Sequence, residues 1–357
     1  MSVDNPQVAD LSIIVPVLNE RDDLPDFFSD LERQQGVCFE LIISDGGSTD
    51  GSLEWLEKQS LPPFSYRLLN CSKGRGRQLN RGIEKAAAEW LLFLHVDSRF
   101  SDPLALRKGL NHLIRAESLN VAGHFALSFR RSGFQPSAGY YFYEWKARLG
   151  LAETVHGDQG FLIHRQLVEQ VGPFSETLSA MEDTDFAERL RQLGQWQLLP
   201  AEISTSTRRF EREGLWQRQL LGAIIMCSRV IGWDDFFKAA PHIYLQQSDT
   251  EKLHLVPFFI LIRRLHKNLT LPERWKLWYL QGSYVRNHAW QLFFAMDAHR
   301  TFRRGLSVGE GQTRYLSFLL PIFNFMTDNP AGRLGATVLL RVWYEVTFLW
   351  LKRIEKG

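Results

Sequence analysis

The sequence predicts an α/β protein with a mostly parallel sheet, helices on both faces of that sheet, and a helical extension at the C-terminus. Two observations support this fold class. Short apolar runs alternate with helical patterns up to about residue 98, as in chains that build parallel sheets. Beyond about residue 245 the segments look helical and are rich in Trp, Phe, Leu and Arg. At 357 residues, the chain is long enough for one large domain or two ordinary ones.

The first part of the chain alternates regularly between the two kinds of element. In chain order we predict a strand at 12–15 ended by Pro16, a helix at 23–34, a strand at 39–45, a short helix at 52–59, a strand at 66–72, a helix at 74–90 and a strand at 91–98. Ligands of such sheets bind beyond the carboxyl ends of the strands. Asp45 and Asp97 both fall at such ends.

After residue 120 the pattern is mixed. We predict a strand at 121–131, an aromatic helix at 137–151, a turn, strand and short helix within 157–172, and a helix at 179–194. A polar stretch at 245–254 is a candidate linker. The predicted organisation is therefore a catalytic domain over residues 1–245 and a helical extension over 246–357.

Composition argues against several classes of protein. The formal net charge is only +2, so a general nucleic-acid surface is not expected. The three cysteines are widely separated and lack pairing or metal spacing, which favours a reducing compartment such as the cytoplasm. The first ten residues lack the basic start and apolar core of a signal peptide. The longest apolar run, 334–351, is interrupted by Arg341 and Glu345, which disfavours a membrane span.

The stretch "DGGSTDGS" at 45–52 follows a predicted buried strand. It is typical of a strand-to-helix turn, in which Asp45 ends the strand and Ser48 or Thr49 caps the helix. A functional interpretation is equally open: Asp45 accepts hydrogen bonds from a nucleotide, and the glycines leave room for it.

The stretch "KGRGRQLNRG" at 73–82 places glycines and cations at the start of a helix. Cations are disfavoured there by the helix dipole, but a phosphate would suit both the cations and the helix terminus. The alternative is a solvated basic turn.

Two acidic motifs complete the candidate site. In "HVDS" the carboxylate of Asp97 suits a hard divalent cation, and His95 is a possible second ligand or a structural histidine. In "MEDTDF" the carboxylate of Asp183 suits a general base that takes a proton from an attacking hydroxyl. The alternative for Glu182 and Asp183 is that they only complement the dipole of the helix they begin.

The order and spacing of "PVLNE", "DGGSTDG", "GRGRQLNRG", "FLHVDS", "GDQGF" and "MEDTDF" resemble the family 2 glycosyltransferases, which have the GT-A fold. The resemblance covers residues 10 to about 240. It is closest to the bacterial arsenosugar-biosynthesis-type subgroup, which carries a related form of the metal motif.

The resemblance implies a role for each matching residue. The donor-binding positions are Pro16, Asn19 and Glu20 in the first nucleotide-contacting loop, Asp45 at the base, and Arg75, Arg77 and Asn80 near the ribose and diphosphate. Asp97 matches the last aspartate of the family's metal motif, which binds Mg²⁺ or Mn²⁺. His95 stands where the first aspartate is usual. Asp183, next to Glu182, matches the catalytic base, and 157–159 match a strand edge near the acceptor.

The implied reaction is an inverting transfer of a sugar from a UDP- or GDP-sugar to the hydroxyl of a glycan or lipid-linked acceptor. Two rival functions are open. A nucleotidyltransferase is disfavoured because no glycine-rich loop follows the first strand. A catalytically silent nucleotide-sugar-binding or scaffold protein is disfavoured by the presence of Asp97 and Asp183. For the extension over 246–357 we expect contacts with a second copy or peripheral attachment to the inner face of the membrane.

Overall fold

The computed structural model describes residues 9–58, 64–133, 135–178, 180–247 and 252–355. These residues form two compact units. The first unit comprises the described residues up to Gly133 together with Tyr143–Ser206, and the second comprises the intervening stretch and everything from Thr207 onwards. The division at 206/207 differs from the boundary at 245/246 that the sequence predicts. The N-terminal eight residues and 248–251 of the predicted linker lie outside the described residues.

The first unit contains a mixed seven-stranded sheet within the described residues. Its strands are β1 (Leu11–Val17), β2 (Phe39–Asp45), β3 (Ser65–Asn70), β4 (Trp90–Phe93), β5 (Val121–Arg130), β6 (Phe161–His164) and β7 (Gln195–Ser206). They are ordered β3-β2-β1-β4-β6-β5-β7. Only β6 runs antiparallel to its neighbours β4 and β5. The carboxyl ends of β1, β2 and β4 therefore meet at one edge of the sheet.

Helices cover both faces of this sheet. Up to residue 193 they are α1 (Leu24–Glu32), α2 (Ser52–Glu57), α3 (Arg75–Lys85), α4 (Ala105–Arg115), α5 (Ala138–Lys146), α6 (Arg165–Val171) and α7 (Glu182–Leu193). One core cluster packs Phe27 of α1 and Leu110 of α4 against the sheet. A second cluster on the other face contains Leu79 of α3 and Phe186 of α7. The predicted fold class is confirmed.

Several details differ from the sequence-based prediction. Pro16 does not end β1 but pairs with Ser44 inside it, and the strand continues for one more residue. The fourth strand ends at Phe93, earlier than predicted, because the chain turns at His95–Ser98. The segment 157–159 is a 3-10 helix and not a strand edge. Helix α4 and strand β7, the last strand of the sheet, have no counterpart in the prediction.

The second unit is helical from Thr207 onwards. Its helices are α8 (Arg208–Glu213), α9 (Leu215–Val230), α10 (Asp234–Leu245), α11 (Val256–Lys267), α12 (Leu271–Asn287), α13 (Trp290–Arg303), α14 (Arg314–Thr327) and α15 (Pro330–Ile354). Phe236, Phe258 and Phe348 lie in its core. Glu345 pairs with Arg263 of α11 at 2.6 Å. Within the described residues α15 is the one helix long and apolar enough to cross a membrane, although the test is also passed by core helices of soluble proteins.

Candidate active site

The carboxyl edge of the sheet carries the turn after β2. Asp45, the last residue of that strand, is 2% exposed. Its Oδ2 accepts hydrogen bonds from the N–H groups of Gly47 (2.8 Å) and Ser48 (3.0 Å), and its Oδ1 accepts one from the Ser48 hydroxyl at 2.6 Å. Both carboxylate oxygens are thus engaged in shaping the turn, as the structural interpretation predicts, but the predicted helix cap is wrong: α2 begins after Gly51, and neither Ser48 nor Thr49 caps it. A direct contact between Asp45 and a nucleotide base stays a prediction.

The loop after β1 is bound to this same turn. Asn19 has a positive φ of 58°, a conformation that asparagine tolerates better than most residues. Its N–H donates to the Ser48 hydroxyl (2.9 Å), and its side-chain oxygen accepts from the Thr49 N–H (2.8 Å). The N–H of Glu20 donates to the Ser52 hydroxyl at 3.0 Å. The predicted donor-binding residues of both loops therefore form one hydrogen-bonded surface.

A side chain of helix α3 stabilises the strand ends next to this surface. Gln78 is buried, and its amide donates to the carbonyls of Val17 (2.7 Å) and Ser44 (2.8 Å) at the ends of β1 and β2. No part of the sequence reasoning singled out Gln78. A glutamine within "GRGRQLNRG" carries no distinctive signal, since its role depends on two carbonyls that are distant in the chain.

Two residues predicted near the ribose and diphosphate are engaged with protein groups. The Asn80 amide donates to the Phe174 carbonyl at 2.9 Å, and its oxygen accepts from the Phe174 N–H at 2.9 Å. Arg77 pairs with Glu176 at 3.1 Å and donates to the Ser72 hydroxyl. Both side chains therefore hold the segment around 174–176 against α3. Their predicted contacts with a donor remain untested.

Asp97 lies in the turn beyond β4. Its Oδ2 accepts from the Thr205 hydroxyl (2.7 Å) and the Ser206 N–H (3.3 Å), while its Oδ1 accepts no hydrogen bond from the described residues. Burial alone would raise the pKa of Asp97, but the charge of His95 and these two hydrogen bonds lower it below the usual value. The structure thus presents an ionised carboxylate with one oxygen available to a ligand.

Glu182 and Asp183 begin α7 after Met181, which has a positive φ of 64°. Glu182 is buried and pairs with Arg75 at 3.2 Å. Burial raises the pKa of Glu182 in spite of the opposing effect of Arg75. Two neighbouring carboxyl groups are therefore held in different environments, a common arrangement where one of them exchanges a proton.

Asp183 has the lower proton affinity of the two. Its Oδ2 accepts from the Gly157 N–H at 2.7 Å and its Oδ1 from the Thr184 N–H at 2.8 Å. Burial favours its neutral form, but His156, the Gly157 N–H and Arg75 together lower the pKa of Asp183. The Asp183 carboxylate is thus ionised, fixed in orientation and ready to accept a proton.

Gly157 connects the predicted metal motif with the predicted base. A Cβ at this position would lie 3.0 Å from Asp183 Oδ2 and 3.1 Å from His95 Nε2. Glycine permits the two side chains to approach the same point of the backbone. The structure therefore brings His95, Asp183 and Arg75 together around one small pocket, which Phe93 and Phe174 also line. The charge of Asp97 acts on Arg75 as well.

Asp158 is a further acidic group at this site. Its Oδ1 is buried without a hydrogen-bond partner in the described residues. Burial, and then the charges of Asp183 and Asp97, raise the pKa of Asp158 to about 7. From the sequence, Asp158 was expected only near the acceptor. One sequence feature could have identified Asp158 as a site residue: it is an acidic residue between glycines in "GDQG", directly before a buried strand.

The residues present fit a divalent cation only if substrate phosphates and water supply the other ligands. The described residues contain no group of three or more His, Cys, Asp or Glu side chains that could hold a metal. Asp97 nevertheless offers one available carboxylate oxygen, with His95 nearby. Mg²⁺ is commonly bound by one or two carboxylates, with substrate phosphates and water completing the shell.

Comparison with known proteins agrees with this geometry. Residues 12–172 match the family described as Glycosyl transferase family 2. Over 89 residues the chain is 38% identical to a PGL/p-HBAD biosynthesis glycosyltransferase of Mycobacterium tuberculosis, covering 24% of this chain and 34% of that protein. It is 28% identical over 187 residues to an uncharacterized glycosyltransferase of Haemophilus influenzae, covering 51% and 62%. The chain thus spans less than two thirds of the length of either relative.

Among solved structures, the mannosyltransferase PcManGT from Pyrobaculum calidifontis, in complex with GDP-Man and Mn²⁺, has a TM-score of 0.47 and 16% sequence identity, covering 94% of this chain and 87% of that one. The matched segment 12–172 includes the ends of β1, β2 and β4, the loops after β1 and β2, and the Gly157 turn. Residues 12–172 of this chain are therefore similar to the glycosyltransferase family 2 domain.

Proposed function

We propose that the protein is an inverting glycosyltransferase that moves a sugar from a nucleoside-diphosphate sugar to an acceptor hydroxyl. The observation that supports it most is the pairing of two ionised carboxylates with different surroundings at one sheet edge. Asp97 has an oxygen available to a cation. Asp183 is fixed by backbone N–H groups and has a lowered pKa.

The nucleotide would lie on the surface formed by the loops after β1 and β2. The hydrogen bonds between Asn19, Ser48 and Thr49 make these loops rigid before the donor arrives. Such preorganisation reduces the entropy lost on binding. A UDP- or GDP-sugar is the proposed donor, and Arg75, at the N-terminus of α3, is the cation best placed to face its diphosphate.

Asp97, together with His95, would hold a Mg²⁺ or Mn²⁺ ion. When bound, that ion offsets the charge that gathers on the leaving diphosphate. The protein's own contribution is to keep Asp97 ionised through Thr205, Ser206 and His95.

Asp183 is the proposed general base. It would accept the proton of the acceptor hydroxyl as that oxygen attacks the anomeric carbon from the face opposite the diphosphate, and a single displacement inverts that carbon. Glu182 would keep Arg75 in place through its ion pair. Its raised pKa makes it the alternative acid–base group if Asp183 serves only to orient the Gly157 turn.

The remaining assignments are also proposals. We propose a cytoplasmic enzyme whose acceptor is a glycan or a lipid-linked sugar, with residues 246–357 as an accessory region. Membership of the arsenosugar-biosynthesis-type subgroup stays a prediction from the motifs.

The decisive experiment is a panel of UDP- and GDP-sugars offered to the full chain with and without Mn²⁺. Metal-dependent release of the nucleoside diphosphate would support the proposal, and the anomeric configuration of the product, read by NMR, would test inversion. Binding without turnover in the presence of several acceptors would favour a silent nucleotide-sugar-binding protein. Retention of configuration would overturn the single-displacement role of Asp183.

A further inference from the structure

Helix α14 of the second unit displays apolar side chains to solvent along one face. Phe318, Ile322 and Phe325 recur at intervals of four and three residues, and they are 71%, 47% and 92% exposed. None of the side chains of α14 is fully buried. An isolated exposed phenylalanine needs no explanation, but a row of them along a helix marks an interaction surface.

The helix is nevertheless firmly held at both ends by buried charged groups. Asp297 of α13 is 1% exposed, and its two carboxylate oxygens accept from the N–H groups of Tyr315 (3.0 Å) and Leu316 (2.8 Å) in the first turn. Arg286 of α12 is 6% exposed and donates to Asn324 and to the Thr327 hydroxyl in the last turn.

These anchors stabilise the helix without using its apolar face. The helix dipole adds to the effect of Asp297, because a carboxylate at a helix N-terminus is favourable. In an ordinary core helix, the apolar side chains are the groups that hold the helix to the rest of the protein. Here polar groups fix the backbone, and Phe318 and Phe325 are left pointing outwards.

The surroundings of this face are cationic. Residues 300–327 contain four arginines and a single carboxylate, that of Glu310. Arg303 and Arg304 at the end of α13 and Arg314 at the start of α14 are exposed. Arg314 lies one turn before Phe318 on the same face. No carboxylate of the described part of the chain forms an ion pair with these three arginines.

We propose that the α14 face docks on the surface of an anionic phospholipid bilayer. Its apolar side chains would enter the interface while Arg303, Arg304 and Arg314 contact lipid phosphates. At 14 residues and about 1.5 Å per residue, α14 is too short to cross a hydrocarbon core of about 30 Å. A symmetric contact with a second copy would bring the same arginines of two chains together, which charge repulsion disfavours.

Helix α15 is compatible with the same placement. Val338, Val342, Val346 and Leu349 are exposed, whereas Tyr344, Phe348 and Leu351 are buried in the second unit. Arg341 and the Arg263–Glu345 ion pair would stand near the middle of a span, where charges are costly. A helix that lies on the interface keeps these charges in contact with water.

The test is vesicle co-sedimentation of the full chain, with neutral phosphatidylcholine vesicles compared with vesicles that contain about one third phosphatidylglycerol. We expect binding to the anionic vesicles only, and weakened binding in high salt. Phe325→Ser should reduce the partition coefficient about tenfold, from the apolar area it removes. The double change Arg303→Gln with Arg304→Gln should reduce it by more than about tenfold, since each arginine contributes about a factor of five.

Ile114→Ser is the matched control, because Ile114 is 51% exposed on α4 of the first unit. It should bind vesicles as the wild type does. The variants change exposed side chains, so their circular dichroism and soluble-substrate activity should match the wild type. Equal binding to neutral and anionic vesicles, no binding to either, or full binding by Phe325→Ser would each overturn the proposal. A concentration-dependent dimer that Phe325→Ser abolishes would assign the face to a second copy instead.

Discussion

Replacing Asp158 by asparagine should stabilise the protein, and by more at high pH than at low pH. The pKa of Asp158 is raised from 3.8 to about 7 by burial and by the neighbouring carboxylates Asp183 and Asp97. The folded protein therefore holds this proton more tightly than the unfolded chain does. The stability contributed by the protonated carboxyl group is complete below about pH 4 and is lost as the pH rises through 7. Asparagine has nearly the same shape and does not ionise.

The size of the effect follows from the distance between the working pH and this pKa. Between about pH 5.5 and pH 8.5, ionisation of a group with a pKa of about 7 lowers the free energy of unfolding by roughly 2 kcal/mol, at about 1.4 kcal/mol per pH unit. This is an upper limit, because the side chain is partly exposed and its charge is partly solvated. For a unit of this size it corresponds to about 4–8 °C in the unfolding midpoint.

The assay is thermal unfolding followed by circular dichroism at both pH values, with a chelator present so that metal binding does not contribute. The difference in midpoint between Asp158→Asn and the wild type should grow with pH. Asp26→Asn, which removes an exposed carboxylate from the first turn of α1, is the control for loss of charge alone. A midpoint difference that is equal at both pH values would show that Asp158 does not titrate between about pH 5.5 and pH 8.5, and would refute the reasoning.

The remaining predictions concern turnover and donor binding. Asp97→Ala should abolish transfer in a folded protein, and full wild-type activity in excess chelator would contradict the metal role. Asp183→Asn should reduce turnover by at least about 10²-fold with donor binding retained; Glu182→Gln, its matched neighbour, should cost less, and the reverse order would make Glu182 the base. Asp45→Ala leaves three hydrogen-bond donors of the turn without their acceptor, so the unfolding midpoint and the affinity for free nucleoside diphosphate should both fall; calorimetry with an unchanged dissociation constant would oppose this. Gly157→Ala should lower both turnover and the unfolding midpoint, because its Cβ would crowd Asp183 and His95; wild-type kinetics would show that the approach of the two side chains is not needed.

The parts of the fold that were predictable are those with strong local periodicity. The run "LII" at 41–43 is apolar because β2 is buried on both faces, and the sequence shows this directly. Strand β7 was missed because its exposure alternates irregularly along "QWQLLPAEISTS", with Pro200 in the middle of the strand. Pro16 was taken as the end of a strand because proline lacks an N–H, but β4 pairs with β1 only as far as Ile14, so β1 has a single strand neighbour at Pro16 and the missing N–H is tolerated there.

The candidate site shows the same division. Asp45 ends β2 and Asp97 follows β4, and their positions at one edge follow from the topology of a parallel sheet, whereas Asp183 lies at the start of α7. What the sequence does not reveal is how each carboxylate is satisfied. The hydroxyl of Thr205 on Asp97 and the N–H of Gly157 on Asp183 come from segments 108 and 26 residues away. Such partners depend on tertiary structure and leave no pattern in either segment.

The amide of Gln78 has a practical consequence for engineering of the proposed donor preference. It joins the carbonyls of Val17 and Ser44, and its side chain lies 3.0 Å from where a Cβ of Gly46 would be. The exposed tips of the two neighbouring loops can therefore be varied while this clamp keeps the strand ends together. A library that randomises Leu18 together with Thr49, whose side chains take no part in the hydrogen bonds between the loops, should yield many folded variants with altered nucleotide selectivity. The same library built on Gln78→Leu should be depleted of folded members, since two buried carbonyls would lose their only side-chain donor in the described structure.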